Sequence, residues 1–288
     1  MAWVQAARPK TLVAAFIPVA IGSSIAADLG SFRAAPALLC LVFAFLVQVG
    51  TNFANDYFDF KKGADKDRRF GPPRAVASGT INPRTMLLAT IAVLALAFVA
   101  GLCLLPYGGK LLLVVGIASL VCAIAYTGGP FPLAYLGLGD IFVVLFFGLV
   151  SVGFTQYVQT GTFPPEGWVA GLAIGLAINN LLVVNNYRDV EEDSQNGKRT
   201  LAVRLGRKFS LWQYALQGTG AAVCLLFLYQ PPGLPWAAVS MALGFFVTRS
   251  TLALGKAVSR ESFLACLGTA AKQVVLLGIL LCVRILTA

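Results

Sequence analysis

The sequence of 288 residues contains no histidine and few charged side chains. Without histidine, the chain has no His-based acid–base catalyst, no His-containing catalytic triad and no His metal ligand. Charged residues make up 12%, about half the share that is usual in soluble domains, whereas hydrophobic residues reach 58%. This balance excludes disordered and fibrous proteins, and despite a net charge of +10 it does not favour a nucleic-acid-binding protein. The composition predicts an integral membrane protein.

Long apolar runs predict an all-α membrane fold. A helix needs about 20 apolar residues to cross the hydrocarbon core of a bilayer. Nine runs approach that length, and they cover about residues 11–29, 35–55, 84–105, 110–127, 140–159, 166–187, 209–230, 233–254 and 262–286. Because transmembrane β-barrels have shorter, alternating segments, we expect one domain over residues 1–288 with about nine transmembrane helices. Residues 1–10 contain no separate apolar region with a cleavage site, so we expect the first run to be retained.

The basic residues predict the orientation of the chain, since Lys and Arg concentrate in cytoplasmic loops. With the N-terminus placed in the cytoplasm, all but four of the 22 Lys and Arg lie on the cytoplasmic side. The exceptions are Arg33, Lys110, Lys272 and Arg284. We therefore predict an N-in, C-out orientation.

The acidic residues are clustered. Nine of the 12 lie in or beside three segments on the predicted cytoplasmic side. They are Asp56, Asp59, Asp65 and Asp67 after the second run, Asp140 at the start of the fifth, and Asp189, Glu191, Glu192 and Asp193 after the sixth. Ionisable side chains at membrane depth are costly and usually functional. The clustering therefore predicts a site on this side of the membrane.

Two polar stripes carry the acids at the ends of the second and sixth runs. The first stripe, spaced i, i+3, i+4 and i+7, consists of Asn52, Asn55, Asp56 and Asp59. The second, spaced i, i+4 and i+8, consists of Asn185, Asp189 and Asp193. A helix places each of these sets on one face. Since solvated loops do not require amides a turn deep in an apolar helix, we interpret the stripes as two halves of one site.

Carboxylates that face one another repel unless a cation lies between them. Because hard oxygen ligands without His or Cys suit Mg²⁺, we predict four catalytic, metal-binding residues: Asp56, Asp59, Asp189 and Asp193. Magnesium coordination is normally completed by substrate phosphates, so the predicted substrate is phosphorylated. Basic residues beside both stripes are candidates to hold phosphate oxygens, namely Lys61, Lys62, Arg68, Arg69, Arg74, Lys198 and Arg199.

Beyond the acids, the sequence resembles a known family. The residues that carry the resemblance lie at 8–12 (RPKTL), 55–63 (NDYFDFKKG), 71–74 (GPPR), 126–135 (YTGGPFPLAY), 137–140 (GLGD), 185–193 (NNYRDVEED) and 197–206 (GKRTLAVRLG). They resemble the motifs of the UbiA-type intramembrane aromatic prenyltransferases, and most of all those of the 1,4-dihydroxy-2-naphthoate polyprenyltransferases. The resemblance extends from the first run to about residue 206. The last three runs match only in hydrophobic character.

The resemblance implies a fold, a reaction and a site. It implies a UbiA-like helical bundle in the cytoplasmic (inner) membrane of a bacterium, with an active site open to the cytoplasm. The implied reaction joins an allylic polyprenyl diphosphate to 1,4-dihydroxy-2-naphthoate, releases diphosphate and CO₂, yields demethylmenaquinol and requires Mg²⁺. The implied diphosphate-binding residues are Asn52, Asn55, Lys62, Arg74, Lys198 and Arg199, and the implied acceptor-binding residues are Lys10, Tyr126, Asp140 and Asn185.

Three alternatives stay open at this point. The first is another UbiA-type enzyme with a different aromatic acceptor, making a ubiquinone, tocopherol, haem or chlorophyll precursor. The second is a cation-coupled transporter, although transporter sites lie near the membrane midplane rather than at one face. The third is a phosphatidyltransferase that uses CDP-alcohols, which predicts one Asp-rich signature rather than two matched ones.

Overall fold

The structure is a computed structural model that describes residues 2–64, 74–229 and 233–288. These residues form helices joined by turns, with no strand among them. The helices are α1 (Ala2–Ala7), α2 (Pro9–Asp28), α3 (Ala34–Lys61), α4 (Pro83–Leu102), α5 (Leu105–Gly108), α6 (Leu111–Ala125), α7 (Gly139–Val143), α8 (Ser151–Thr160), α9 (Pro165–Arg188), α10 (Val190–Gln195), α11 (Leu201–Phe227), α12 (Leu234–Gly255) and α13 (Arg260–Leu286). A π-helical segment, Val144–Val150, joins α7 to α8. We call the continuous span Gly139–Thr160 the rod.

Local sequence signals start several of these helices. Pro9 and Pro83 stand in the first turns of α2 and α4, where the missing backbone N–H costs no hydrogen bond. The Asn82 side chain caps α4, and Ser259 and Ser262 form a reciprocal capping box at the start of α13. These signals divide an almost uniformly apolar sequence into separate helices.

Each predicted apolar run coincides with a helix of the described residues. Seven of these helices are long and apolar enough to cross a membrane: α2, α3, α4, the rod, α9, α12 and α13. The fourth run forms α6, which has only 15 residues. The seventh forms α11, whose helical geometry is interrupted at Gly206 (φ 83°, ψ 170°). The all-helical membrane fold is confirmed, while the count of nine spans and the N-in, C-out orientation stay predictions.

Two helices extend beyond their predicted runs, both next to the acidic segments. Helix α3 continues past residue 55 to Lys61, so the whole first stripe is helical. Helix α11 starts at Leu201 rather than near residue 209, because the Thr200 side chain caps it by accepting a hydrogen bond from the Val203 amide. The predicted runs end where polar residues begin. Helix α3 continues through them because its polar side chains face the interior of the bundle.

Helix α9 lies at the centre of the bundle. The largest apolar cluster joins α9 with α2, α11 and α13 through side chains such as Ile21, Ile174, Leu225 and Leu281, all without exposed surface. Because lipid tails are as apolar as this core, the helices associate through close packing rather than through removal from water. The same cluster includes Val143 and Val152 of the rod, so the rod is also packed against this core.

Glycines bring the rod and α9 into backbone contact. A Cβ atom added to Gly148, in the π-helical segment, would collide with the Gly171 carbonyl oxygen of α9. A Cβ atom added to Gly175 would lie 2.8 Å from the Val144 carbonyl oxygen. No larger side chain fits at this crossing, so the start of the rod is held at a set distance from α9.

Candidate active site

The first polar stripe faces the interior of the bundle. Asn52, Asp56 and Asp59 are 3%, 2% and 2% exposed, and Asn55 is half-buried. The Asn52 amide donates to the Thr11 hydroxyl of α2 at 3.1 Å, which ties the stripe to the start of that helix. The spacing in the sequence does place these four side chains on one inward face.

The Asp56 carboxylate holds the segment that precedes α4. Its two oxygens accept hydrogen bonds from the backbone amides of Ala75 and Val76, at 3.1 and 3.2 Å. These bonds position the neighbouring Arg74, whose Nη2 donates to Asp59 Oδ2 at 3.1 Å. Asp56 therefore organises the segment that brings a guanidinium group to Asp59.

Asp59 is the centre of a charged network. Its Oδ1 accepts a hydrogen bond from Tyr135 Oη at 2.9 Å and lies 3.7 Å from Lys198 Nζ, while Oδ2 pairs with Arg74. A buried charge is costly unless it is paired and hydrogen-bonded. The three partners come from three different segments of the chain, so Asp59 joins them at one point.

The second polar stripe does not lie on one continuous helix. Helix α9 ends at Arg188, Asp189 has non-helical angles (φ −94°, ψ 12°), and α10 begins at Val190. The Asp193 amide still donates to the Asp189 carbonyl at 2.7 Å, which keeps the two residues one turn apart across the break. The expectation of a single helical face is therefore met only in part, since the helix breaks where the apolar sequence gives way to charge.

The two acids of the second motif have different cationic partners, and one of these partners also contacts the first motif. Arg188 Nε and Nη2 donate to the two oxygens of Asp189, both at 2.6 Å. Asp193 Oδ1 lies 3.9 Å from Lys198 Nζ, the same ammonium group that contacts Asp59. Lys198 thus bridges the first acidic motif and the second.

The donor set of this bridge fits a hard divalent cation. Across the described part of the chain, no three His, Cys, Asp or Glu side chains are close enough to hold a metal ion by themselves. Magnesium, however, usually takes one or two carboxylates and completes its shell with substrate phosphates and water. Asp59 and Asp193 already share one positive charge, that of Lys198, and basic side chains surround them.

Tyr126 lies among the acids at the end of α6. Burial raises the pKa of its phenol, and the carboxylates of Asp140, Asp59 and Asp193 act in the same direction. The phenol therefore keeps its proton, which leaves an O–H group able to donate a hydrogen bond to a ligand. Its position beside acids from three segments places it at the junction of the two motifs.

The turn after α6 contacts the first stripe and the neighbouring Lys62. Lys62 Nζ donates to the Thr127 carbonyl at 2.6 Å, and the Thr127 hydroxyl donates to Asn55 Oδ1 at 2.7 Å. Partial burial lowers the pKa of the Lys62 ammonium; the Asp59 carboxylate opposes this shift and the Lys198 ammonium adds to it. Lys62 therefore lies at the edge of the charged network, in contact with the turn after α6.

Amides rather than cations hold Asp140. Its Oδ1 accepts hydrogen bonds from Asn179 Nδ2 at 3.0 Å and from Gln213 Nε2 at 2.6 Å, and Asn179 also donates to Gln217 at 3.2 Å. Asp140 is 6% exposed. The network fixes the carboxylate at the start of the rod against α9 and α11.

The structure does not bring every predicted residue to this network. Lys10, Lys61 and Arg199 are exposed. The Arg199 amide donates to the Tyr135 carbonyl at 2.9 Å, a contact of its backbone. Asn185 is half-buried and donates to the Leu181 carbonyl of its own helix at 3.0 Å. Four predicted acids and bases lie outside the described residues: Asp65, Asp67, Arg68 and Arg69.

An apolar cavity of about 180 Å³ adjoins the charged network. Its walls come from α2, α3, α4, α6 and the rod, and they include Phe142, Phe146 and Phe154. Tyr126 lies in the wall of the cavity and also beside the acids, so it links the two. The arrangement places a charged network beside an apolar cavity that is lined by aromatic side chains.

Three functional contacts were not predicted from the sequence. Tyr135, Arg188 and the pair Asn179 and Gln213 each hold an acidic side chain. A signal for Asn179 and Gln213 was present, since both are amides within apolar runs. Tyr135 carried a signal only as the last residue of the 126–135 segment in the family resemblance, which did not predict its contact with Asp59.

The sequence from residue 15 to 282 matches the UbiA prenyltransferase family. The 1,4-dihydroxy-2-naphthoate octaprenyltransferase of Escherichia coli (strain K12) is 40% identical over 230 residues, covering 78% of this chain and 75% of that protein. The protein of the same name from Bacillus subtilis (strain 168) is 31% identical over 242 residues, covering 78% of this chain and 76% of that protein. The similarity thus covers most of the chain in distant bacteria.

Solved structures share the fold. The structure of a UbiA homolog from Archaeoglobus fulgidus bound to DMAPP and Mg²⁺ matches with a TM-score of 0.68 at 14% identity, covering 100% of both chains. The apo structure of a UbiA homolog from Aeropyrum pernix K1 matches with a TM-score of 0.71 at 14% identity, covering 97% of this chain and 98% of that chain. At this identity the likeness concerns the architecture of the bundle.

Proposed function

This chain belongs to the UbiA prenyltransferase family, and we propose that its substrates are an allylic polyprenyl diphosphate and 1,4-dihydroxy-2-naphthoate. The reaction bonds the prenyl carbon to the naphthoate ring, releases diphosphate and CO₂, and yields demethylmenaquinol. The observation that carries the proposal is the Lys198 bridge between Asp59 and Asp193 beside an apolar cavity. The names of the relatives support the choice of acceptor.

Basic side chains around the bridge bind the diphosphate. Lys62, Arg74 and Lys198 converge on Asp59, and on substrate binding they exchange part of their carboxylate contacts for phosphate oxygens. Their positive charge then stabilises the diphosphate as it departs. Asn52 and Asn55 on the same face of α3 add amide donors, and Arg199 completes the proposed set.

The proposed Mg²⁺ ligands are Asp56, Asp59, Asp189 and Asp193. When bound, Mg²⁺ supplies the positive charge that eases departure of the diphosphate. In the protein alone, Arg188 neutralises Asp189, and Lys198 neutralises Asp193. The A. fulgidus homolog with DMAPP and Mg²⁺ supports this requirement by its shared fold.

The cavity receives the prenyl chain and protects the reactive carbon. Its apolar walls exclude water, which would otherwise capture the allylic cation. The faces of Phe142 and Phe146 stabilise positive charge on that carbon. The electron-rich naphthoate ring then attacks, so no nucleophile from the protein is required, which agrees with a chain that lacks histidine.

The acceptor lies between Tyr126 and Asp140, the proposed acceptor-binding residues together with Lys10 and Asn185. The protonated Tyr126 phenol donates a hydrogen bond to an acceptor oxygen, and the amide-held Asp140 carboxylate accepts one from an acceptor hydroxyl. The carboxylate of the acceptor leaves as CO₂, and its bonding electrons return to the ring. Aromaticity is thereby restored.

The protein is an integral membrane protein, and we place it in the bacterial cytoplasmic membrane with the N-terminus inside. The support is the concentration of Lys and Arg in the segments next to both acidic motifs. In this orientation the charged mouth opens to the cytoplasm, where a soluble aromatic acid and Mg²⁺ are available. The prenyl donor reaches the cavity from the bilayer.

Mass spectrometry of the product tests the proposal. Membranes containing the protein are incubated with a labelled prenyl diphosphate, Mg²⁺ and each of several aromatic acids. We expect a prenylated naphthoquinol, or the quinone that air forms from it during extraction, only with 1,4-dihydroxy-2-naphthoate. This product should be lost with EDTA and in Asp56→Ala and Asp189→Ala. A product with another acid would point to a different acceptor. Failure of the wild type to release diphosphate would favour the cation-coupled transporter instead.

A further inference from the structure

Tyr135 lies between the two acidic motifs, on the turn that joins α6 to α7. Its hydroxyl donates to Asp59 Oδ1 at 2.9 Å, which is the oxygen that also faces Lys198. The contact reaches the first motif from a segment that belongs to neither motif. Tyr135 is therefore part of the charged network without carrying charge.

Two ammonium groups face the same Tyr135 ring. Lys62 Nζ lies 4.0 Å from the ring centre, and Lys198 Nζ lies 5.0 Å from it. Both distances are within the range in which the negative face of an aromatic ring attracts a cation. Lys62 comes from the end of the first motif and Lys198 from beyond the second, so one ring gathers a cation from each.

The backbone around Tyr135 is anchored to the second motif. The Tyr135 carbonyl accepts a hydrogen bond from the Arg199 amide at 2.9 Å, and the next carbonyl, that of Leu136, accepts one from Arg204 Nη2 at 2.9 Å. A Cβ atom added to Gly137, which has a φ of +75°, would lie 2.5 Å from the Arg199 carbonyl oxygen. The backbone that carries the Tyr135 ring is therefore tied to the segment that carries Lys198.

The Lys62 and Lys198 ammonium groups repel each other, so holding both at one ring is costly without an anion. The aromatic face offsets part of that repulsion, and the Asp59 carboxylate offsets another part. The ring therefore keeps both ammonium groups at the mouth of the site before any phosphate arrives. A preorganised pair of cations loses less conformational entropy when the anion binds.

We infer that Tyr135 is a positioning residue, whose ring holds Lys62 and Lys198 ready for the diphosphate of the donor. The inference rests on the proposed function and deepens it. It assigns the ring, rather than the hydroxyl, to diphosphate affinity. It also assigns the residue to the donor and not to the aromatic acceptor.

Binding of inorganic pyrophosphate in the presence of Mg²⁺ tests this role without turnover. Isothermal titration calorimetry on the purified full-length chain compares wild type, Tyr135→Phe and Tyr135→Leu. We expect Tyr135→Leu to weaken binding about tenfold and Tyr135→Phe to stay within about threefold, because phenylalanine keeps the aromatic face. In steady-state kinetics, Tyr135→Leu raises KM for the prenyl diphosphate and leaves KM for the acceptor unchanged.

A matched variant and a charge-deleted background complete the design. Tyr157→Leu, which removes a tyrosine stacked on Phe163 outside this network, should bind pyrophosphate as wild type does. In Lys62→Met/Lys198→Met protein, Tyr135→Leu should cause no further loss. If Tyr135→Leu fails to fold, Tyr135→Met fills the same space without an aromatic face and takes its place.

Distinct results would overturn the inference. Equal losses in Tyr135→Phe and Tyr135→Leu would assign the effect to the hydroxyl, and wild-type affinity in Tyr135→Leu would remove any role for the ring. A loss that persists in the background without both lysines would mark a merely structural effect. If the wild type itself does not bind pyrophosphate, the proposed function fails and this inference fails with it.

Discussion

The carboxylates of Asp59 and Asp193 lie 3.7 and 3.9 Å from a single ammonium group, that of Lys198. The two acids belong to motifs that are far apart in the sequence and on different helices. The shared cation therefore brings the two acidic motifs together in the protein alone. If Mg²⁺ binds as proposed, Lys198 is the side chain that has to adjust.

Removing the shared cation should make the protein depend on Mg²⁺ for stability. In Lys198→Met, Asp59 and Asp193 lose their common partner, and we expect the free energy of unfolding to fall by about 2 kcal/mol. Removing one partner of a fully buried ion pair costs roughly 3–5 kcal/mol. The expected loss is smaller here because Asp59 keeps its contacts with Arg74 and Tyr135. Thermal melting with and without Mg²⁺ should show a larger stabilisation by the ion in the variant than in the wild type.

The exposed Lys256 provides the control for this measurement. Lys256→Met changes the net charge by the same amount but lies in the turn after α12, so its response to Mg²⁺ should equal that of the wild type. An unchanged response in Lys198→Met would contradict the bridging role of Lys198.

Asp56 should be required for the segment before α4 to stay bound to the site. In Asp56→Ala, the amides of Ala75 and Val76 lose their acceptors, so the segment carrying Arg74 is released from Asp59. We expect trypsin to cleave after Arg74 at least tenfold faster than in the wild type, together with loss of prenyl transfer. The rate of appearance of the corresponding fragment by mass spectrometry measures this.

Asp189→Ala separates this effect from a general loss of activity. Its carboxylate pairs with Arg188, whereas the amides of Ala75 and Val76 donate to Asp56, so activity should be lost while cleavage after Arg74 stays slow. Equal cleavage rates in both variants would show that Asp56 does not hold the segment.

Binding of the prenyl diphosphate should weaken at alkaline pH because of Lys62. The pKa of Lys62 is lowered by partial burial, so as the pH rises this ammonium loses its proton earlier than an ordinary lysine. The charged form favours bound diphosphate, and therefore KM should be lowest below this pKa and rise as the pH passes through it. Lys62→Arg keeps its charge in this range, so the alkaline rise should disappear.

A pH series of KM for the prenyl diphosphate makes this comparison, with Lys61→Arg as the matched variant on the exposed end of α3. Lys61→Arg should show the same alkaline rise as the wild type. A wild-type KM that does not change on the alkaline side would contradict the assignment of Lys62.

Gly116 should set how much of the cavity is open to a long prenyl chain. It lines the cavity, and a Cβ atom added to it would meet nothing within 4 Å. Gly116→Phe places a ring in that open space, so we expect kcat/KM for long donors to fall about tenfold relative to short ones. Competition between donors of different length, read by mass spectrometry of the products, measures the ratio.

Gly268 offers a control with equally open surroundings, since a Cβ atom added there also meets nothing within 4 Å. It lies in α13 and does not line the cavity, so Gly268→Phe should leave the preference for chain length unchanged. A shift in this variant equal to that of Gly116→Phe would exclude a local effect in the cavity.

Much of the architecture follows from the sequence, because helix formation and membrane insertion depend on local patterns. The apolar runs predicted the long helices, and the spacing of Asn52, Asp56 and Asp59 predicted their inward face. Contacts between distant segments do not follow from such patterns. The second stripe is interrupted at Asp189, which pairs with Arg188, and Tyr135 reaches Asp59 from another turn. Both depend on tertiary geometry that hydropathy does not register.

The backbone contact between the rod and α9 gives the molecule one rigid pair of helices. Gly148 and Gly175 leave no space for these helices to slide past each other, and Asp140 and Asn179 are joined across the same interface at 3.0 Å. Helix α2 packs on the rod just as closely, since a Cβ atom added to Gly22 would lie 2.7 Å from the Val152 carbonyl oxygen. We therefore expect a displacement that admits the proposed prenyl chain to occur in α3, α4 and α6. In the proposed site, the rod and α9 would thus keep the position of the aromatic acceptor, while α3, α4 and α6 adjust to the length of the donor.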